Sequence, residues 1–188
     1  MTKSILLVGV GGQGTILASK LLTKGLIEAG YDVKMAEIHG MSQRGGSVSS
    51  QVRYGDKVHS PVVEEGSGDV LIAFEKMEAL RWLKHLKPSG MAVVNDYEIE
   101  SMPIKTGKFE YPEDINEELK IIKNIKIFNA AEKAVKLGNE KVMNVILLGS
   151  LIKAMNLEDI DWEKIIKNNV KEKFIDINIE ALKIGMNQ

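Results

Sequence analysis

The stretch Ser4-Ile5-Leu6-Leu7-Val8-Gly9-Val10-Gly11-Gly12-Gln13-Gly14 decides the fold. Its apolar start has the length and composition of a buried strand, and it runs directly into four glycines within six positions. From 14 to 29 the apolar residues Ile16, Leu17, Leu21, Leu22, Leu26 and Ile27 recur at helical spacing, with Lys20, Lys24 and Glu28 on the other side. Gly30 stands where a helix C-terminal glycine belongs. A strand, a glycine turn and a helix N-terminus together make a cradle for an anion. The glycines admit close backbone approach, and free N–H groups plus the helix dipole face the ligand.

Residues 31–38 read as a second strand, with Val33, Met35 and Ile38 as inward candidates, and two strands joined by a helix are expected to pair in parallel. The glycine turn and the loop His39-Gly40-Met41-Ser42-Gln43-Arg44-Gly45-Gly46 then share the C-terminal edge of the sheet, where open α/β sheets bind ligands. Gly9, Gly11 and Gly14 satisfy G-x-G-x-x-G, and Glu37 falls where a ribose-binding acid sits in a dinucleotide enzyme. Three readings stay open on spacing alone: a dinucleotide, another phosphate-bearing cofactor, or glycines that only let the helix pack closely on the strand or on a partner. In the second loop, Arg44 supplies a cationic fork for phosphate or carboxylate, and Ser42, Gln43 and Ser47 supply neutral hydrogen bonds. The binding candidates are therefore Gly11, Gly12, Gln13, Gly14, Glu37, His39, Ser42, Gln43 and Arg44.

Further along, 47–54 is β-prone, and Gly55-Asp56 reads as a hairpin turn before 57–60. A second strand–helix–strand unit follows: a strand at 69–74, a helix at 75–86 stopped by Lys87-Pro88-Ser89-Gly90, and a strand at 91–95. Between 96 and 124 the pattern suggests a short strand at 102–106 and an acidic helix at 112–122, and 125–128 reads as a last strand. Helical periods then run through 130–137, 142–155, 162–170 and 174–184. The segment 142–155 is apolar nearly all round, so it is either deeply buried or an interface helix. The expected architecture is a single α/β domain over 1–188. It has a Rossmann-like, mostly parallel sheet in 1–129, a β-hairpin excursion, and a helical C-terminal cap in 130–188.

Composition narrows the function. Aromatic content of 5% and a net charge of −1 give no case for a nucleic-acid surface. Charge is nonetheless segregated: residues 1–60 are net +3, 61–118 net −7 and 119–188 net +3. With no cysteine, the chain offers no thiolate for an iron–sulfur cluster and no thiol nucleophile. His39, His59 and His85 lack metal-ligand spacing, so no metal site is expected. Neither a Walker sequence nor a serine nucleophile elbow occurs, and no catalytic residue can be assigned. Glu75 and Asn95 end strands at the ligand edge, where they either line a cleft or simply cap. No apolar run approaches a membrane span and no cleavable leader is read at the N-terminus, so a cytoplasmic protein is expected.

Gly9-Val10-Gly11-Gly12-Gln13-Gly14, followed by Ala36-Glu37-Ile38-His39-Gly40-Met41-Ser42-Gln43-Arg44-Gly45-Gly46, resembles the gamma-type domain of 2-oxoacid:ferredoxin oxidoreductases. The likeness is strongest to the indolepyruvate branch and extends over nearly the whole chain. The resemblance implies oxidative decarboxylation of a 2-oxoacid, an aryl pyruvate in that branch, to an acyl-CoA, with electrons passed to ferredoxin. It also implies that thiamine diphosphate and the iron–sulfur clusters sit on a partner alpha subunit, so that this chain is inactive alone. Carried over by position, the glycine turn and the 39–44 loop would face the partner's active-site cleft and shape the entrance for substrate and CoA. The isolated chain is then expected as a monomer or as a homodimer that buries the partner-facing surface.

Overall fold

The computed structural model describes residues 2–38 and 45–188. β1 (Lys3–Val10) is buried on both faces: Ile5 and Leu7 enter one apolar core, Leu6 and Val8 the other. Helices on both sides of a strand require apolar residues at successive positions, which explains the unbroken run. α1 (Thr15–Glu28) leads to β2 (Asp32–Ile38), and β3 (Ser47–Gly55) returns beside it. β4 (Gly68–Ala73), α2 (Lys76–Trp82), a 3-10 turn at Leu83–His85 and β5 (Leu86–Asn95) form the second strand–helix–strand unit. Among the described residues the sheet has six strands in the order β2-β3-β1-β4-β5-β6, the last being Asn124–Phe128. β3 is antiparallel to both its neighbours, and the other pairs are parallel.

The direct parallel pairing expected between 4–8 and 31–38 is not made. The two strands run the same way, but β3 lies between them, with Ser49 opposite Val8 on one side and Ile38 on the other. A hairpin return from β2 places β3 in that slot, where both its edges find backbone partners. The segment 57–60 is not a strand, so β3 pairs with β1 and β2 rather than with it. The Val58 amide instead donates to Asp32 Oδ2 at 2.8 Å. The expected strand at 102–106 is a helical turn, α3 (Met102–Lys105). Pro103 sits in its first turn, where its fixed φ favours a helix, and the Thr106 hydroxyl bonds back to the Met102 carbonyl at 3.0 Å. The acidic helix contracts to α4 (Ile115–Leu119). The Lys87-Pro88-Ser89-Gly90 break falls inside β5: Gly68 pairs Leu86 and Val70 pairs Met91, so the intervening residues bulge out of the ladder.

Helices α5 (Ala130–Lys136), α6 (Met143–Ala154), α7 (Trp162–Asn169) and α8 (Ile175–Met186) join α1 on one face of the sheet, and α2 and α4 cover the other. α6 is buried from Met143 through Ile152, which settles its alternatives in favour of the core. Each fully buried Leu or Ile there contributes about 1.5–3 kcal/mol relative to exposure. α6 and α8 cross at Gly149 and Gly185, so closely that a Cβ on Gly185 would meet the Ile146 carbonyl oxygen. At its N-terminal end α6 is tied to the glycine turn by Asn144, whose Nδ2 donates to the Gly14 carbonyl. Among the described residues, no helix is long and apolar enough to cross a membrane.

Candidate functional site

The glycine turn leaves β1 at the C-terminal edge of the sheet. Gly12 (φ 106) and Gly14 (φ 83) both occupy left-handed backbone, which an L side chain adopts at a cost. Gly14 is the N-cap of α1, and no side chain caps that helix, so its first-turn amides point out of the helix end. The turn is fixed from two directions. Gly11 donates to the Gly46 carbonyl at 2.8 Å and accepts from the Gly45 amide at 3.2 Å, tying it to the start of β3. Gln13 folds back: its Oε1 accepts from the Val10 amide and its Nε2 donates to the Phe74 carbonyl, both at 2.8 Å. Gln13 thus bolts the turn to the end of β4, and its amide is satisfied within the protein.

The turn separates two cavities. The larger, about 750 Å³, is lined by Gly11, Gly12, Gln13, Gly14 and Gly45 on one side. The rest of its lining includes Tyr97, Ile99, Val135, Met143 and Asn144, with Glu132, Glu140 and Lys141 at its polar positions. The smaller, about 310 Å³, lies between the turn, the start of α1 and Val48, Ser49 and Ser50 of β3. Two such clefts sharing one wall of backbone suit an extended, partly anionic molecule.

Among the sequence candidates, Gly11, Gly12, Gln13 and Gly14 come together at this wall. Glu37 lies on β2, opposite Ser50 of β3, and its Oε1 is 3.5 Å from the Ser19 hydroxyl that donates to it. With β3 intervening, β2 stands two strand spacings, about 9.6 Å, from β1, whereas the dinucleotide arrangement uses one. His39, Ser42, Gln43 and Arg44 fall outside the described residues. Asn95 and Glu75 are buried beneath the cleft as ties. The Asn95 amide nitrogen donates to the Phe74 carbonyl (3.0 Å) and its oxygen accepts from the Ala130 amide (2.8 Å).

Asn144 is the residue that sequence reasoning passed over. It is buried at the start of α6, its Nδ2 donates to the Gly14 carbonyl at 3.2 Å, and its Oδ1 has no hydrogen-bond partner among the described residues. A lone amide in an otherwise apolar helix was the available signal, because a buried polar group needs a structural or binding reason. Tyr97 and Ile99 carried no periodic signal at all.

Glu75 is a buried carboxylate altered by its surroundings. Burial raises its pKa above the ordinary carboxylate value, against hydrogen bonds from Tyr111, Glu78 and Ile99 that lower it, and the neighbouring Glu78 charge adds to the rise. Tyr111 is likewise raised, first by burial and then by its bond to Glu75.

Residues 4–188 match the family described as pyruvate ferredoxin/flavodoxin oxidoreductase. The indolepyruvate oxidoreductase subunit IorB of Archaeoglobus fulgidus is 38% identical over 195 residues, covering 100% of this chain and 96% of that protein. The crystal structure of pyruvate oxidoreductase subunit PORC from Thermotoga maritima superposes with a TM-score of 0.73 at 22% identity, covering 100% and 96% of the two chains. A 2-oxoglutarate:ferredoxin oxidoreductase from Magnetococcus marinus, solved with 2-oxoglutarate, coenzyme A and succinyl-CoA bound, contains the same fold. Its TM-score is 0.73 at 19% identity, over 99% of this chain and 30% of that one.

Proposed function

The chain belongs to the pyruvate ferredoxin/flavodoxin oxidoreductase family, and from that premise we propose that its glycine-turn cleft is one wall of a site completed by a partner subunit. The chain is a subunit of a 2-oxoacid:ferredoxin oxidoreductase. Its substrate is an aryl 2-oxoacid such as indolepyruvate, in line with the relative at 38% identity. The complex oxidatively decarboxylates that acid to an acyl-CoA and CO2 and passes the electrons to ferredoxin. Thiamine diphosphate and the iron–sulfur clusters reside on the partner. The donor set of this chain, which has no cysteine, does not fit a thiolate-ligated cluster. The chain is inactive alone and works in the cytoplasm, and 1–188 forms one domain with its helical part at 130–188.

The observation that carries this reading is the N-terminus of α1, without a side-chain cap, behind a left-handed glycine turn that lines cavities of about 750 Å³ and 310 Å³. It is an anion cradle at the rim of a space large enough for part of a CoA. Arg44, next in sequence to Gly45, is proposed to act with this cradle in anchoring the anionic groups of CoA or of the 2-oxoacid at the entrance. The test is Arg44→Ala in the reconstituted complex. The reading expects a higher KM for CoA or for the 2-oxoacid, and two unchanged values would refute it.

The rival reading, a free-standing NAD(P)- or FAD-binding oxidoreductase with Glu37 on the ribose, is separated by titrating the purified chain with NADH, NADPH and FAD. Micromolar binding would favour it. A pure assembly module would leave glycine-turn variants fully active once assembled.

A further inference from the structure

Two consecutive residues that the proposed function leaves unused hold a stretch that lines the larger cavity together with the glycine turn. Glu75 is only 1% exposed. Its Oε1 accepts from the Tyr111 hydroxyl and from the Ile99 amide (3.3 Å), and its Oε2 accepts from the Glu78 amide (2.9 Å). Lys76 follows, with Nζ at 3.2 Å from Asp96 Oδ1 and 2.5 Å from Glu98 Oε1, while its backbone amide donates to the Tyr97 carbonyl at 3.1 Å. Residues 96–99 are thereby gripped at each position by the two residues that open α2. Tyr97 and Ile99 are the members of that stretch that line the larger cavity.

Capping alone does not explain Glu75. An aspartate or serine would satisfy the first-turn amide of α2 from the same place, yet neither side chain is long enough to meet Ile99 and Tyr111 as well. A buried carboxylate is tolerated only where several donors converge on it, and here the donors come from three separate segments. Beyond Ile99 the chain makes an excursion through α3, whose described backbone hydrogen bonds from 101 to 109 are local. Tyr111 then brings the chain back to the same carboxylate.

We propose that Glu75, clamped by Tyr111, is a positioning residue of the cleft: it sets the separation between the Tyr97–Ile99 wall and the glycine turn, and so the fit of the molecule held there. The inference rests on the reading of the cleft as the ligand entrance. Tyr111→Phe removes one hydroxyl and leaves the ring packing in place. In the reconstituted complex, with CoA and indolepyruvate as probes, it should raise one KM about tenfold while kcat stays within about twofold, the signature of a displaced binding wall. Hydrogen exchange across 97–111 should accelerate in the same variant, with β1 unchanged. Glu75→Gln should reproduce both effects, and if it fails to assemble, Tyr111→Phe carries the test.

Arg44→Ala separates the two claims. If it raises a KM while Tyr111→Phe leaves both KM values and the exchange of 97–111 at wild type, the positioning role is refuted and the entrance survives. If neither Arg44→Ala nor Tyr111→Phe changes a KM, both fall. A loss of kcat alone, in proportion to lost folded complex, would mark Glu75 as structural only and overturn the inference.

Discussion

Replacing Gly14 by alanine tests the geometry of the turn most sharply, because two costs coincide there. The residue sits at φ 83, ψ 22, and an added Cβ would run into the side-chain amide of Asn144. Left-handed backbone costs an L residue about 1–2 kcal/mol. Asn144 must also move aside and give up its 3.2 Å bond to the Gly14 carbonyl, a further loss of about 1 kcal/mol. Together the substitution should cost about 2–3 kcal/mol, which for a domain of this size lowers Tm by roughly 5–10 °C. Urea denaturation followed by circular dichroism measures it, provided the slope is unchanged. Asn144→Ala supplies the control, since it removes the obstruction. In that background Gly14→Ala should cost only its conformational part, about 1–2 kcal/mol. A cost below about 0.5 kcal/mol in the wild-type background, or the same cost with and without Asn144, would refute the reasoning.

Other perturbations give equally definite outcomes. Tyr111→Phe removes a hydrogen bond to a buried carboxylate and should lower urea stability by about 1.5–3 kcal/mol at pH 7. The raised pKa of Glu75 means that the folded state keeps its proton to higher pH than the unfolded chain. Its contribution is therefore most favourable at low pH and declines as pH rises from the ordinary carboxylate value through the raised one. The stability difference between wild type and Glu75→Gln should accordingly fall across that window, and a flat or rising difference would contradict the assignment. Gly185→Ala places a methyl against the Ile146 carbonyl where α6 and α8 cross. It should cost about 2–3 kcal/mol or more, read as a lower midpoint in urea.

Much of the fold was legible because local chemistry dictated it. The run from Ile5 to Val8 could only be a strand covered on both faces, and four glycines between it and a periodic helix fixed the turn. The nearly all-apolar α6 had to be covered, by the core or by an interface, and the structure gives it to the core. The position of β3 was not legible, because strand order is decided by which edges find partners, and the same residues would satisfy a local hairpin equally well. Met102–Lys105 misled for a related reason: apolar and β-branched residues suggest a strand, while the controlling features are Pro103 and the Thr106 back-bond. At the site, the glycines announced themselves because left-handed backbone leaves few alternatives. Tyr97, Ile99 and Asn144 did not, since each acquires its place only when β4, β5 and α6 converge on the turn.

The central claim, that this chain supplies one wall of a site completed elsewhere, is tested most directly by reconstitution. The purified chain is combined with the thiamine-binding partner subunit that the proposed function assigns to it, and reduction of ferredoxin by indolepyruvate is followed with and without CoA. The account predicts CoA-dependent reduction by the pair and none by either subunit alone. Full turnover by the partner without this chain, or turnover by this chain alone with a nicotinamide or flavin cofactor, would contradict it.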